Sequence, residues 1–160
     1  LKAVQDSLGV VHGHLETIHA YTNDQNLVDN IHKKHRRGRA AALNMVITET
    51  GAGKAVSKAL PVFEGKLTSN AIRVPVPNGS LAILNLELEK PTSKKGINDI
   101  LKKYALEGDL VEQIKYSVDS ELVSSDVVGS AQPSIHDSHS TIVTNSGKQV
   151  VIYLWYYHEY

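Results

Sequence analysis

The segment from Thr17 to Gln25 contains the side chains best suited to chemistry in this 160-residue chain. His19 can take up or release a proton near neutral pH, because an unperturbed imidazole has a pKa of about 6.5. Thr22 and Asp24 follow at alternate positions, so both would point to the same side of an extended chain. A histidine at the end of a strand is nevertheless more often structural than catalytic, and composition alone does not decide between the two.

A dense basic block follows at residues 32–39. Its positive charge is local, because Lys+Arg and Asp+Glu both number 17 and the formal net charge is zero. Such blocks usually form a solvated face, but this one would also suit a small anion or an acidic patch on another subunit. Zero net charge argues against nucleic acid as the main partner. A non-enzymatic binding role through the basic loop, including RNA binding, is an alternative that a steep salt dependence would support.

Two further segments could bind phosphate. Arg73 carries a planar guanidinium on a predicted strand, just before a rigid Pro75-x-Pro77 sequence. Thr50 and Gly51 precede a predicted helix, where backbone N–H groups and the helix dipole favour an anion. Each feature also has an ordinary structural explanation, since strand arginines are often surface charges and Thr-Gly often only caps a helix.

Hydrophobic periodicity supplies the elements that would position these side chains. Strands come in runs rather than alternating with helices, which favours an α+β fold over a doubly wound α/β fold. The pattern predicts seven or eight strands and three main helices, with Thr92 or Ser93 capping the third helix. The candidate strand segments, from which seven or eight strands are expected, are Val10–Ala20, 40–47, Leu67–Val74, 81–89, 116–118, 121–124, 134–135, 140–143 and Gln149–Tyr156. The predicted helices are 1–8, 52–60, one starting near residue 94, and a short turn at 109–114.

The string Thr-Ile-His-Ala-Tyr-Thr-Asn-Asp-Gln at 17–25 resembles the histidine segment of the phosphorylating glyceraldehyde-3-phosphate dehydrogenases. The resemblance covers essentially the whole chain, because further stretches match in order and spacing. It implies an α+β domain with a mixed, largely antiparallel sheet of seven or eight strands and helices on one face. Residues 1–160 would then be the catalytic domain, with the N-terminal NAD(P)-binding Rossmann domain and the terminal helix missing. The further matching stretches are 48–55, 65–68, 71–77, 88–90, 123–126 and 155–156.

The same resemblance implies roles for individual residues. His19 would activate a cysteine thiol; the chain has no cysteine, so we expect these 160 residues to be inactive alone. The substrate phosphate would be bound by Thr22, Asp24 and Arg73, with Asp24 orienting Arg73. Arg73 would also bind the attacking inorganic phosphate. A further anion contact would be Arg37, with Arg36 and Arg39 as alternatives. The remaining residues of the inorganic phosphate site would be Thr50 and Gly51.

Two departures from the family pattern concern the cofactor, which is expected to be NAD or NADP, bound mostly by the missing domain. Asn30-Ile31 stands where the family usually has Leu-Pro, which leaves the choice between NAD and NADP open. Tyr157-His158 stands where the family usually has Asp-Asn. His158 would therefore contact the nicotinamide amide with a different hydrogen-bonding geometry.

The implied activity is the oxidation and phosphorylation of glyceraldehyde 3-phosphate to 1,3-bisphosphoglycerate with NAD(P), through a cysteine thioester, in glycolysis or gluconeogenesis. Erythrose-4-phosphate dehydrogenase is an alternative that shares the fold and most motifs. The expected partners are glyceraldehyde 3-phosphate and inorganic phosphate, in a homotetramer of the full-length protein located in the cytoplasm. We expect no metal and no membrane partner, since no apolar run reaches membrane-spanning length.

Overall fold

The computed structural model describes residues 1–157. Within that range it has one mixed sheet of eight strands and three α-helices, which confirms the predicted α+β class. The first strand is long and the sheet is built largely from segments distant in sequence. The strands are β1 Val10–Ala20, β2 Val46–Thr48, β3 Leu67–Val74, β4 Ser80–Leu88, β5 Lys115–Ser117, β6 Ile135–Asp137, β7 Ile142–Val143 and β8 Gln149–Tyr156, and the helices are α1 Lys2–Leu8, α2 Ala52–Ala59 and α3 Lys94–Leu106.

The strands lie in the order β2-β3-β1-β4-β8-β6-β5, and β7 pairs with β8. Two pairs are parallel, β1 with β3 and β5 with β6, whereas the other pairs are antiparallel. A parallel pair needs a long crossover connection. Here residues 21–66 make that connection and carry the basic loop, β2 and α2 from one end of β1 to the start of β3.

The hydrophobic core lies between one face of the sheet and the three helices. Alternate side chains of a strand point to the same face, so Leu15 of β1, Leu84 of β4 and Ile152 of β8 all enter this core. Burying each such side chain contributes about 1.5–3 kcal/mol of transfer free energy. No helix within residues 1–157 is both long and apolar enough to cross a bilayer. The helical residues of the same cluster include Ala3, Val4, Ala52, Val56, Ile97 and Leu101.

Helix α3 begins as the sequence predicts. The Ser93 hydroxyl accepts a hydrogen bond from the Gly96 N–H at 3.1 Å, which satisfies one of the backbone donors exposed at a helix start. Ser93 is therefore the cap, and the choice left open between it and Thr92 is resolved. The buried residues Ile97, Leu101 and Ala105 lie on the inner face of the helix at intervals of four.

Three predicted elements are wrong. The strand at 40–47 is confined to β2, because Ala41–Leu43 forms a short 3-10 helix after the Ala40 N–H is captured by Asp29 Oδ1 at 2.8 Å. The strand at 121–124 is absent, because Asp126 Oδ2 accepts the Val123 N–H at 2.8 Å and starts a 3-10 turn instead. Residues 109–114 form hydrogen-bonded turns rather than a short helix.

Candidate active site

His19 and Arg73 lie side by side because β1 and β3 are parallel and pair these two residues directly. The Arg73 Nη1 lies 3.0 Å from His19 Nδ1 and also donates to the Ala20 carbonyl oxygen at 3.0 Å. The same nitrogen donates to the Thr22 hydroxyl at 3.2 Å. One guanidinium therefore joins the end of β1 to the loop that follows it, and it lies against the His19 ring.

The His19 ring is oriented by its own backbone. Nδ1 lies 2.6 Å from the Ala20 carbonyl oxygen, which is its shorter contact, so we assign the Nδ1 proton to that hydrogen bond. In this tautomer Nε2 carries the lone pair that can accept a proton. The Tyr156 ring stands edge-on to His19, with ring centroids 6.3 Å apart and planes at 68°. The imidazole is thus held in one orientation between β1, β3 and the end of β8.

The surroundings of the Arg73 guanidinium favour the binding of an anion. Burial lowers its pKa from the ordinary value, and the positive charge of nearby Arg37 lowers it further. A negative ligand would relieve both effects, because it replaces lost hydration and screens the two cations from each other. Arg73 Nε is buried and has no hydrogen-bond partner among residues 1–157.

These side chains open on a cavity of about 710 Å³ that also reaches the start of α2. Thr50 and Gly51 lie on its wall, and the Thr50 hydroxyl accepts the Ala52 N–H at 3.2 Å. A Cβ placed on Gly51 would meet no atom within 4 Å, so the space beside this backbone is open. The cavity therefore joins an imidazole ring, a guanidinium and a helix start in one volume.

The sequence was compared with known proteins. The model of the family "Glyceraldehyde 3-phosphate dehydrogenase, C-terminal domain" matches residues 1–158. The chain belongs to this family. A glyceraldehyde-3-phosphate dehydrogenase-like protein of Pseudomonas aeruginosa (strain UCBPP-PA14) is 56% identical over 160 residues, which are 100% of this chain and 34% of that protein.

Shorter relatives carry the name without the qualifier. Glyceraldehyde-3-phosphate dehydrogenase of Mycobacterium avium is 48% identical over 159 residues, which are 99% of this chain and 46% of that protein. The enzyme of the same name from Priestia megaterium is 45% identical over 158 residues, with 99% of this chain and 46% of that protein covered. The chain thus spans between a third and a half of the length of these relatives.

Asp24 does not orient Arg73, contrary to the sequence-based expectation. Its Oδ2 forms a close ion pair with Arg37 Nη1, and its Oδ1 lies 3.7 Å from His32 Nε2. The loop after β1 folds back, with the Asn26 N–H donating to the Arg37 carbonyl at 3.0 Å, and this brings the two side chains together. Such a pairing between loop residues depends on the folded loop and has no signature in sequence spacing.

The structure places most of the other predicted residues on the wall of the cavity, and one lies outside the described residues. His19, Arg37, Thr50, Gly51 and Arg73 all line it. Thr22 touches the cluster through Arg73. The predicted nicotinamide contact, His158, lies outside the described residues and stays a prediction.

Four charged or aromatic residues on the cavity wall were missed from the sequence. Lys54 lies three residues after Gly51 in the first turn of α2, a spacing that could have indicated it. Lys34 and Glu49 form an ion pair at 3.3 Å, and Tyr156 closes the side nearest His19. Within residues 1–157 no group of three or more His, Asp or Glu side chains could hold a metal ion.

Proposed function

We propose that this domain supplies the proton-transferring histidine and the anion-binding residues of a phosphorylating glyceraldehyde-3-phosphate dehydrogenase. The observation that carries the proposal is that Arg73 contacts the His19 ring and donates to the Thr22 hydroxyl, and that His19 and Arg73 line the same cavity as the helix start at Gly51. The family of the chain and the names of its relatives support the same reaction class. The full-length protein would oxidise glyceraldehyde 3-phosphate and transfer the acyl group to inorganic phosphate.

His19 acts as the acid–base group in this proposal. Its Nε2 takes the proton of a cysteine thiol that another part of the full-length protein supplies, because this chain has no cysteine. A nearby imidazolium stabilises the thiolate, whose free acid has a pKa of roughly 8.5. The thiolate attacks the aldehyde, and the same ring then exchanges a proton with the substrate oxygen. The hydrogen bond from Nδ1 to the Ala20 carbonyl keeps the ring in the tautomer that this role needs.

Arg73 binds phosphate in two ways. Its guanidinium, with the Thr22 hydroxyl at 3.2 Å, receives the phosphate of the substrate. The inorganic phosphate that resolves the thioester lies between Arg73 and the start of α2, where Gly51 leaves open space and Lys54 adds a positive charge. The two anions share one arginine, so losing it affects both.

The cofactor in this proposal is NAD or NADP, which accepts the hydride when bound. Tyr156 lines the cavity beside His19, so the end of β8 reaches the reacting centre. His158 follows Tyr156 by two positions in the sequence and is the residue that we assign to the nicotinamide amide. The cofactor contact that we assign to this chain is therefore His158, which follows the last residue of β8 by two positions.

Assembly is part of the same proposal, with a homotetramer of the full-length protein in the cytoplasm. The face of the sheet opposite the helices carries half-buried apolar side chains such as Ile83, Tyr153 and Trp155. The loop after β1 adds exposed Leu27 and Ile31. Apolar surface of this kind is typical of subunit contacts.

The test of the proposal is Arg73→Ala in the full-length protein. We expect the Michaelis constants for both glyceraldehyde 3-phosphate and phosphate to rise, by the equivalent of about 1.5–3 kcal/mol for a charged hydrogen bond. Arg73→Lys should recover only part of this loss, because the two-pronged geometry is gone. Arg39→Ala is the matched control, since Arg39 pairs with Asp29 and lies outside the cavity. Unchanged constants in Arg73→Ala would exclude this site.

A further inference from the structure

One row of side chains crosses four neighbouring strands beside the cavity. Arg73 of β3 is paired with His19 of β1, and His19 is paired on its other side with Ser80 of β4. Ser80 is paired in turn with Tyr156 of β8. Direct partners across a sheet project to the same face, and Ala82, two positions further along β4, lines the cavity as this placement requires. Ser80 is the member of the row to which the proposed function gives no role.

Ser80 lies between His19 and Tyr156 and has the shortest side chain of the row. It is buried, with 4% of its surface exposed. The backbones of β1 and β8 are two strand spacings apart, which is about 9–10 Å. The ring centroids of His19 and Tyr156 are nevertheless only 6.3 Å apart, with the planes at 68°. The two rings therefore lean towards each other above Ser80, whose side chain is short enough to leave this space to them.

The Ser80 hydroxyl also restrains the phenol of Tyr156. Burial raises the pKa of Tyr156, whereas a hydrogen bond with the Ser80 hydroxyl and the positive charge of Arg73 lower it. Tyr156 is the last residue of β8, so this bond fastens a ring at a strand end to the neighbouring strand. A buried hydroxyl is normally hydrogen-bonded, and here the bond reaches the ring that stands against His19.

We propose that Ser80 is a positioning residue for His19: its short side chain admits Tyr156, and its hydroxyl holds the phenol so that this ring stays edge-on to the imidazole. The inference rests on the proposed function, because the orientation of the imidazole matters only if His19 transfers a proton. The contact with the Ala20 carbonyl fixes Nδ1, and the Tyr156 ring limits how far the imidazole turns about that contact. Without the Ser80 hydroxyl, Nε2 spends less time in the orientation needed for proton transfer.

The first experiment compares full-length wild type with Ser80→Ala, which removes the hydroxyl and keeps the space. We expect kcat to fall roughly two- to tenfold, the change in population that the loss of one net hydrogen bond causes. The Michaelis constants for glyceraldehyde 3-phosphate and phosphate should stay the same, because the contacts of Arg73 are untouched. Ser138→Ala is the matched control, since it removes a buried hydroxyl that donates to the Ser117 carbonyl away from the cavity. Its kcat should equal that of wild type.

Tyr156→Phe tests the same hydrogen bond from its other end, and it serves if Ser80→Ala does not fold. It keeps the ring and removes the hydroxyl, so kcat should fall by a similar factor. The double variant Ser80→Ala/Tyr156→Phe should lose no more than either single variant, because each removes the same interaction. Losses that multiply in the double variant would overturn the inference, since the two hydroxyls would then act independently.

Chemical modification separates this inference from the proposed function, because it needs no substrate. Carbethoxylation by diethyl pyrocarbonate, measured by mass spectrometry, reports how accessible each imidazole is. The rate at His19 relative to exposed His12 should rise roughly two- to tenfold in Ser80→Ala and in Tyr156→Phe, because the ring covering His19 is less restrained. Ser138→Ala should keep the wild-type ratio.

The two proposals can fail separately. If wild type oxidises glyceraldehyde 3-phosphate with neither NAD nor NADP, the proposed function fails, yet the carbethoxylation ratios still test the positioning by Ser80. An unchanged ratio in folded Ser80→Ala and Tyr156→Phe would overturn the inference. An equal rise in Ser138→Ala would also overturn it, since the effect would then be a general loosening of the domain.

Discussion

His19 and His136 both lie on strands of the same sheet, and both rings contact polar side chains. His136 is fully buried, with Nε2 3.0 Å from Asn98 Oδ1, and Thr141 donates to the same oxygen at 2.8 Å. Burial lowers the pKa of His136 to about 4, from an ordinary value of 6.5. His19 instead lies half-buried on the wall of the cavity, in contact with Arg73.

Local sequence does not distinguish His19 from His136, whereas the access of each ring to a cavity does. Each ring follows an isoleucine on a strand, and each has a well-defined hydrogen bond. Only His19 faces a volume that a ligand could fill, whereas His136 has a Tyr116 ring 5.5 Å from its centroid and helix α3 beside it. The buried ring is kept neutral and bonds to Asn98 of α3, while the role proposed for the cavity ring requires it to change its protonation.

The largest effect is expected at His19. In the full-length protein, His19→Asn should lower kcat by about 10²–10⁴-fold, because asparagine can donate to the Ala20 carbonyl but cannot exchange a proton. Stability should change little. His12→Asn is the matched control, since His12 lies exposed on the other face of the sheet beside Glu87. A turnover in His19→Asn equal to that of the control would place the acid–base group elsewhere.

The second effect concerns stability at His136. The folded pKa of about 4 is below the ordinary value of 6.5, so the unfolded chain binds a proton between these pH values that the folded chain does not. The contribution of His136 is therefore complete above pH ~6.5 and is lost as the pH falls towards ~4. It amounts to ~3 kcal/mol, from ~1.4 kcal/mol for each pKa unit.

The measurement is the free energy of unfolding by urea at pH 7 and pH 4. His136→Phe keeps a flat ring of similar size and removes the titration, so its free energy should fall less between the two pH values than that of wild type. Equal pH dependence in wild type and His136→Phe would show that His136 does not titrate as its burial requires.

The smallest expected effect comes from comparing Gly51, which lies beside open space, with Gly53, which is packed against a side chain two residues later. A Cβ on Gly51 meets nothing within 4 Å, whereas a Cβ on Gly53 would lie 2.6 Å from Ser69 Oγ. Gly51→Ala should leave stability unchanged. It should weaken phosphate binding by about 0.5–1.5 kcal/mol, the net value of one hydrogen bond, because its Cβ would take up the space beside the backbone. Gly53→Ala should instead lower the melting temperature. Phosphate titration and thermal unfolding of both variants test this, and unaltered phosphate affinity in Gly51→Ala would place the anion away from the helix start.

The regular helices and strands were predictable because the hydrophobic pattern and the helix caps depend on residues that are close together in the sequence. The bounds of β1, β3 and β8 match the predictions, and the Ser93 cap was one of two candidates. The errors occurred where a side chain competes with the backbone. Asp29 captures the Ala40 N–H, and Asp126 captures the Val123 N–H, so a run that resembles a strand forms a turn.

The site was predictable to a similar extent. Motifs in register with a known family indicated His19, Arg73 and the start of α2. The parallel pairing of β1 and β3 sets His19 beside Arg73, and both line the same cavity as Gly51. The partner of Asp24 was wrong, because it depends on how residues 21–45 fold back on themselves. Charge pairs in irregular loops carry no periodicity from which spacing could be inferred.

The order of the strands has a consequence for synthesis. The centre of the sheet is β1-β4-β8, and β8 at Gln149–Tyr156 is translated after the other strands of residues 1–157. At ~5–20 residues per second, the ribosome needs several seconds to add the segment 89–148 after β4 is complete. During that interval β4 has its partner β1 on one side and an unpaired edge on the other. The nascent chain is therefore exposed to aggregation at this edge while residues 89–148 are added, and the edge is covered when β8 arrives.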